Sequence, residues 1–358
     1  MSTAPDSLLR AREVDGTFED IPIIDFTNAT ATTEKRKELA NLIRDASINV
    51  GFFYLKNHGI SHELIDNAVG AGKRFFALPE EEKMKLDIHK SPNYKGYTAV
   101  LGENTNAEGQ GDLHEGFDIG WEETEFELKQ QDGKQQTMAV RDSGVMTGGN
   151  VWPSDSVQLN GFKEAVLAYY HAALNFGKLL FPLFALALNL PETFFDDKTT
   201  KPAAIMRILH YPTQSPTKLD PVDDRQIGIG SHTDYECFTI LWQDLVGGLQ
   251  VQNTSGKWVD AVPIDGTVVV NLGDQFARWT NDVFKSTVHR VINRSGLERY
   301  SIPVFFGSDY DVLLEPIATC VSPETPAKYE VVTAGDRHFP DLDKYLEQKN
   351  CACSIVWM

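Results

Sequence analysis

The sequence predicts an all-β core with α/β additions: a double-stranded β-helix, or jelly roll, fronted by an N-terminal strand/helix layer and braced by one long helix. Three patterns in the 358 residues carry this expectation. Residues 201–316 break into short β-branched and aromatic runs separated by Gly-rich turns, the rhythm of a jelly roll. Residues 21–78 alternate short apolar runs with segments of 3.6-residue periodicity. Residues 158–190 carry one long helical pattern suited to a supporting spine.

Residues 21–26 read as a short strand. Residues 34–50 then place Leu39, Leu42, Ile43, Ala46 and Val50 at helical spacing, Gly51 ends that helix, and 52–55 is a buried strand. A second helix over 62–78 puts Leu64, Ile65, Ala68 and Val69 on one side and stops at Pro79. His58 and His62 read as surface or cap residues, since neither has a partner at metal-ligand spacing. From 91 to 150 the pattern loosens. Stretches 101–112 and 141–150 are rich in Gly and Asn, and long loops of this kind either cover sites or stay unfolded. His114 beside Glu115 imitates a ligand pair, but adjacent residues on a strand face opposite sides, and Phe117 reads as core or pocket wall. In the spine, Leu159, Phe162, Val166, Tyr169, Tyr170 and Leu174 form a core stripe, with a kink or split expected at Pro182. Residues 204–211 open the barrel with Arg207, Leu209 and Tyr211 on one face. Strands are expected over 239–243, 249–252, 258–262 and 267–272, with Asp274 in a capping turn and Trp279 in packing.

The chemistry concentrates between residues 230 and 306. His232 and Asp234 are two apart, so on an extended strand both leave the same face with α-carbons roughly 6.5 Å apart. His289, brought back by the fold, completes two imidazoles and a carboxylate. That set with open positions is the arrangement of non-heme Fe(II) oxygenases. Residues 284–293 and 299–307 read as the two arms of a hairpin. For His289, Arg299 and Ser301 to share one interior, its loop must have three or five residues, or a bulge. A buried guanidinium needs an anion, and a planar fork beside a hydroxyl suits a carboxylate gripped bidentately. The distal carboxylate of 2-oxoglutarate is the natural occupant.

His-x-Asp, a later His and Arg-x-Ser together form the signature of the Fe(II)/2-oxoglutarate-dependent dioxygenases, and the chain resembles that family. Its isopenicillin N synthase-like branch is matched by residues 23–26, 51–59, 210–212, 247–251 and 271–274, in order from about Ile21 to Pro316. Residues 207–212, 232–235 and 277–279 are most similar to fungal members near thymine 7-hydroxylase. The resemblance implies Fe(II) held by His232, Asp234 and His289, with Arg299, Ser301 and Tyr211 on the 2-oxoglutarate tail. O2 is the oxidant, and succinate and CO2 are the co-products of oxidising, most simply hydroxylating, a small organic substrate. Fungal secondary metabolism or pyrimidine oxidation is the implied setting. Arg207, Tyr235 and Phe305 correspond to the substrate pocket of the thymine hydroxylase, and the mouth loops place Tyr97 and Asn104 near the substrate. These side chains suit a flat, polar ring, neutral or anionic. Arg207 also has a second reading, as half of a structural ion pair. Leu209 stands where plant members usually have Asn, which removes one expected contact to the co-substrate. Three rivals stay open: a 2-oxoglutarate-independent iron oxidase or cyclase, an ethylene-forming-type enzyme, and a non-enzymatic small-molecule binding protein.

The resulting organisation is a flexible arm (1–20), an N-terminal dioxygenase region with substrate loops (21–150), spine helices (151–200), the jelly-roll core (201–316) and a C-terminal segment (317–358). A net charge of −18 argues against nucleic acid and anionic membranes as partners. Cys237, Cys320, Cys351 and Cys353 lack disulfide or zinc-finger spacing and read as free thiols of a reducing compartment. The N-terminus has no signal-peptide core, and the most apolar stretch, 179–190, is short of a membrane span. A cytoplasmic protein is expected.

Overall fold

Strict alternation along the strands builds the core of this molecule. The computed structural model describes residues 17–105, 111–122, 149–154, 156–213, 227–293 and 295–335. Most of the expected arm and tail, with Cys351 and Cys353, lie outside them, as do most of 141–150 and Arg294. The strands are β1 (Ile23–Asp25), β2 (Phe52–Lys56), β3 (Gly96–Thr98), β4 (Glu115–Ile119), β5 (Ala204–Tyr211), β6 (Ile229–His232), β7 (Phe238–Gln243), β8 (Leu249–Gln252), β9 (Trp258–Asp260), β10 (Thr267–Leu272), β11 (His289–Val291) and β12 (Arg299–Phe306). They form a large sheet ordered β1-β2-β10-β7-β12-β5-β4-β3 and a small one ordered β6-β11-β8-β9. The helices are α1 (Thr33–Asn49), α2 (His62–Phe76), α3 (Glu80–Lys83), α4 (Phe162–Ala187) and α5 (Asp274–Trp279).

The central strands β2, β5, β7 and β10 of the large sheet divide their apolar residues between two cores. Phe53, Leu55, Met206, Ile208, Phe238, Ile240, Val268, Val270, Ile302, Val304 and Phe306 pack with α1, α2 and α4 in one cluster. Their neighbours Phe52, Tyr54, Leu209, Tyr211 and Val269 face Leu249, Val251 and Val291 of the small sheet in another. The period of two is the reason, since successive side chains leave opposite faces. The second cluster is the inside of the double-stranded β-helix, and on β5 and β12 it is the odd positions that face it.

Several expectations are corrected here. Residues 284–293 and 299–307 do not form a hairpin. β11 pairs with β6 and β8 in the small sheet, whereas β12 pairs with β5 and β7 in the large one. The connection crosses between sheets, so no hairpin register links His289 to Arg299; they share an interior because the sheets face each other. The β11 strand is three residues long, and 285–288 are not strand. The strand carrying His232 ends there, so Asp234 lies on the link from β6 to β7 rather than on an extended strand. Pro182 sits inside α4 without splitting it. The bond it forgoes is to the carbonyl of Lys178, an exposed residue, where water can replace it. Asp274 begins α5 instead of a simple turn. His58 is buried, not on the surface, and its Nδ1 accepts the Ile60 N–H at 3.2 Å.

Candidate active site

Antiparallel pairing puts His289 directly opposite His232, so both imidazoles leave the same face of the small sheet, ring centroids 4.2 Å apart. Asp234 swings in from the β6–β7 link until its Oδ1 lies 3.6 Å from Nε2 of each histidine. One ligand atom from each of the three lies within 4.8 Å of the others. The surrounding bonds aim those atoms. His232 Nδ1 faces the Gly230 carbonyl at 2.8 Å and His289 Nδ1 the Thr287 carbonyl at 3.1 Å. Each Nδ1 therefore carries the proton, leaving the Nε2 lone pairs for a metal. Asp234 Oδ2 accepts hydrogen bonds from Asn271 Nδ2 at 2.6 Å and from the Thr239 hydroxyl, which leaves Oδ1 turned to the histidines. Phe52 meets the His289 ring edge-on at 5.2 Å.

Electrostatics keep the donors in their binding forms. Burial and the neighbouring His289 bring His232 down to about 4, so it is neutral at physiological pH. Burial opposes ionisation of Asp234, but the two imidazoles and the Thr239 and Asn271 bonds outweigh it and hold the carboxyl below its ordinary value. Two imidazole nitrogens and one carboxylate oxygen are a donor set that suits Fe(II).

At another point of the same cavity stands Arg299, fully buried. Its Nη1 donates to Ser301 Oγ at 3.1 Å, its Nη2 to Gln243 Oε1 at 3.1 Å, and its guanidinium lies over the Tyr211 ring at 4.6 Å. Its Nε–H finds no acceptor, and among the described residues no carboxylate pairs with it. A buried cation with an orphaned donor is costly unless an anion arrives. The arrangement fits the distal carboxylate of 2-oxoglutarate.

Comparison with known proteins bears on the same point. The 2OG-Fe(II) oxygenase superfamily model matches residues 202–308, and that of the non-haem dioxygenase in morphine synthesis N-terminal region matches 21–155. A 2-oxoglutarate-Fe(II) type oxidoreductase of Emericella nidulans is 38% identical over 88% of this chain and 87% of its own. The chain belongs to the 2-oxoglutarate–Fe(II) oxygenase superfamily. A homoarginine-6-hydroxylase of Oryza sativa is 32% identical over 89% of this chain and 95% of its own. Among solved structures, the full-length thymine 7-hydroxylase of Neurospora crassa in complex with alpha-KG and thymine superposes with a TM-score of 0.76 at 29% identity, covering 95% of this chain and 99% of that one. The oxygenase is thus an oxidoreductase on a double-stranded β-helix, with Fe(II), 2-oxoglutarate and O2 as its cofactor set. Among its described residues no helix is long and apolar enough to cross a membrane.

The oxygenase gathers most of the candidates named from sequence, but not all. His232, Asp234, His289, Arg299, Ser301, Tyr211, Arg207 and Phe305 line one cavity. Tyr97 does not. It is buried beside α2, where its hydroxyl donates to Glu115 at 2.6 Å and its ring meets Phe75. Asn104 is not among the lining residues either, although its neighbours Glu103 and Thr105 are. Tyr235 faces a separate cleft of about 580 Å³ with Arg278 and Tyr329, and its hydroxyl donates to the Ala334 carbonyl at 3.0 Å. That cleft is the roomier of the two, yet none of the three ligand candidates lines it. Arg207 reaches the cavity already bound by Asp118 and Glu103. The sequence reading missed Asn271, Thr239 and Gln243, which steer Asp234 and Arg299, and missed Glu103. Asn271 lies in a matched motif, so a signal existed; Gln243 meets Arg299 only through the β7–β12 register, and Glu103 reaches Arg207 from a loop 104 residues away.

Proposed function

We propose that His232, Asp234 and His289 hold Fe(II), that Arg299 and Ser301 grip the distal carboxylate of 2-oxoglutarate, and that the enzyme hydroxylates a small organic substrate in the same cavity. The observation that carries this is the buried Arg299 with its orphaned Nε, set in the cavity that also contains the three converging ligand atoms. The bound iron and 2-oxoglutarate, with O2, would supply oxidative decarboxylation to succinate and CO2 coupled to oxidation of a substrate C–H bond.

The chain's own residues then act by placement. Asn271 and Thr239 fix Asp234 so that one oxygen binds and the other stays occupied. The Gly230 and Thr287 carbonyls hold both histidines in the tautomer that presents Nε2. Tyr211 stacks on the Arg299 guanidinium and stiffens it. Leu209, Leu241, Leu249, Val291 and Phe305 line the cavity with apolar surface and exclude water.

Anaerobic titration of the Fe(II) protein with 2-oxoglutarate tests this reading. A weak visible charge-transfer band should grow in, vanish in His232→Ala and weaken in Arg299→Ala. No band in protein shown to contain iron would favour an oxidase that binds its substrate directly to the metal.

A further inference from the structure

Among the described residues the cavity wall carries one carboxylate outside the ligand set, that of Glu103. It is fixed in place. The Glu103 carbonyl accepts the Asp112 N–H at 2.8 Å, and the Asp112 carboxylate accepts from Thr105 N at 3.0 Å, Thr105 Oγ1 at 3.0 Å and Gly230 N at 3.1 Å. The Glu103 side chain meets Arg207 through Oε1 at 2.7 Å and Oε2 at 2.8 Å, and His114 Nε2 through Oε2 at 3.2 Å. Burial works against its ionisation, but Arg207 and His114 prevail and hold it at about 2.

Arg207, the obvious anion receptor, is spent. Its Nε and Nη2 donate to Asp118 at 2.7 and 2.6 Å, and its Nη1 and Nη2 to Glu103. A guanidinium has five N–H groups in a fixed fork, so one remains, too few for a bidentate grip on a substrate carboxylate. His114 offers no free charge either. Its Nδ1 faces the Gly228 carbonyl at 2.8 Å and its Nε2 faces Glu103, two acceptors that make it an imidazolium already paired. Around Arg207 and His114, three carboxylates (Glu103, Asp112 and Asp118) meet two cations. A carboxylate offers about four acceptor directions, and Glu103 has used three. Leu209, Ile229 and Phe305 make the adjoining wall apolar.

We propose that Glu103 is the specificity-determining residue of this cavity, receiving an N–H-bearing neutral or cationic group of a planar substrate (an amide, imide or amidine) and rejecting carboxylates. This rests on reading the cavity as the Fe(II)/2-oxoglutarate site. Of the flat polar ring expected from sequence, neutral or anionic, it keeps the neutral form and sets the anionic one aside.

Three planar probes of nearly one shape isolate the charge: benzamidine, benzamide and benzoate. Each is titrated calorimetrically, without oxygen, into protein loaded with Fe(II) and 2-oxoglutarate. Benzamidine should bind tightest, benzamide next and benzoate at least tenfold more weakly than benzamidine. Glu103→Gln should erase the preference for benzamidine over benzamide, and Glu103→Asp should keep it. Asp118→Asn loosens Arg207 but alters no residue lining the cavity, so it too should keep the preference. Benzoate binding as tightly as benzamidine would overturn the proposal, as would an unchanged preference in Glu103→Gln, an equal loss in Asp118→Asn, or no binding by any probe. A protein giving no 2-oxoglutarate band at all would instead fail at the underlying reading and take the proposal with it.

Discussion

At Asp234 the two carboxylate oxygens face different chemistry, and the side chains behind it keep them apart. Asn271 and Thr239 hold Oδ2, so Oδ1 alone turns to the histidines. Removing either partner should free the carboxylate to rotate, and Asn271→Ala or Thr239→Val should each weaken Fe(II) binding roughly 10- to 100-fold, measured by competition with a coloured chelator. Arg299 is a sharper case, because truncation leaves the incoming carboxylate buried without its partner. Arg299→Ala should cost on the order of 2–5 kcal/mol of 2-oxoglutarate affinity, with Arg299→Lys in between; an unchanged KM for 2-oxoglutarate would contradict the assignment. His114 gives a pH signature. Burial lowers its affinity for protons, but the Glu103 bond and charge outweigh that and raise its pKa above the ordinary histidine value. The folded state therefore binds the proton more tightly than the unfolded chain. This contribution to stability is complete below the ordinary value and disappears as pH rises through the raised one. Urea midpoints across that window should fall for the wild type, and the fall should be smaller in His114→Gln.

At the level of elements, α4 is placed by one close approach. A Cβ added at Gly177 would lie 2.4 Å from Cε2 of Phe306 on β12. Phe306 cannot easily yield, since it stacks on Phe238 at 5.3 Å and meets Phe181 at 5.4 Å. Alanine would gain about 1 kcal/mol of helix propensity but incur an overpacking cost of about 1–3 kcal/mol. Gly177→Ala should thus be neutral to destabilising, by up to about 2 kcal/mol in denaturant titration; a clear gain would show that α4 can lift from the sheet. The connection from β11 to β12 shows why the hairpin reading failed. A hairpin arm and a strand that crosses to the facing sheet share composition, alternation and flanking turn residues, so periodicity cannot tell them apart.

For the molecule as a whole, the site fastens two sheets together. His232 and His289 belong to the small sheet, Arg299 and Ser301 to the large one, and Asp234 to the link between them. Ligands that bind only this closed arrangement must stabilise it. Iron and 2-oxoglutarate, each at a hundredfold excess over its Kd, should contribute about 2.7 kcal/mol apiece, seen as a rise in Tm that a chelator reverses. No rise with either would mean that the site does not form in solution.

By itself the sequence determined which atoms could do the chemistry. His232, His289, Arg299 and Ser301 were legible because residue type and odd–even position are local properties of a strand; Asp234, on the link after β6, was legible by residue type and its spacing from His232. The same alternation marked which face of β5 and β12 would be interior. Only the tertiary structure decided what those groups meet. From sequence Arg207 read either as a substrate contact or as half of a structural ion pair, and Asp118 and Glu103, 89 and 104 residues away, decide for the ion pair. Tyr97 and Tyr235 lie outside the cavity lining and bond to Glu115 and the Ala334 carbonyl, 18 and 99 residues away in sequence. A charge or hydroxyl acts according to what lies within about 3 Å of it. In a jelly roll, where strands pair with partners far along the chain, those neighbours are set by sheet order and register.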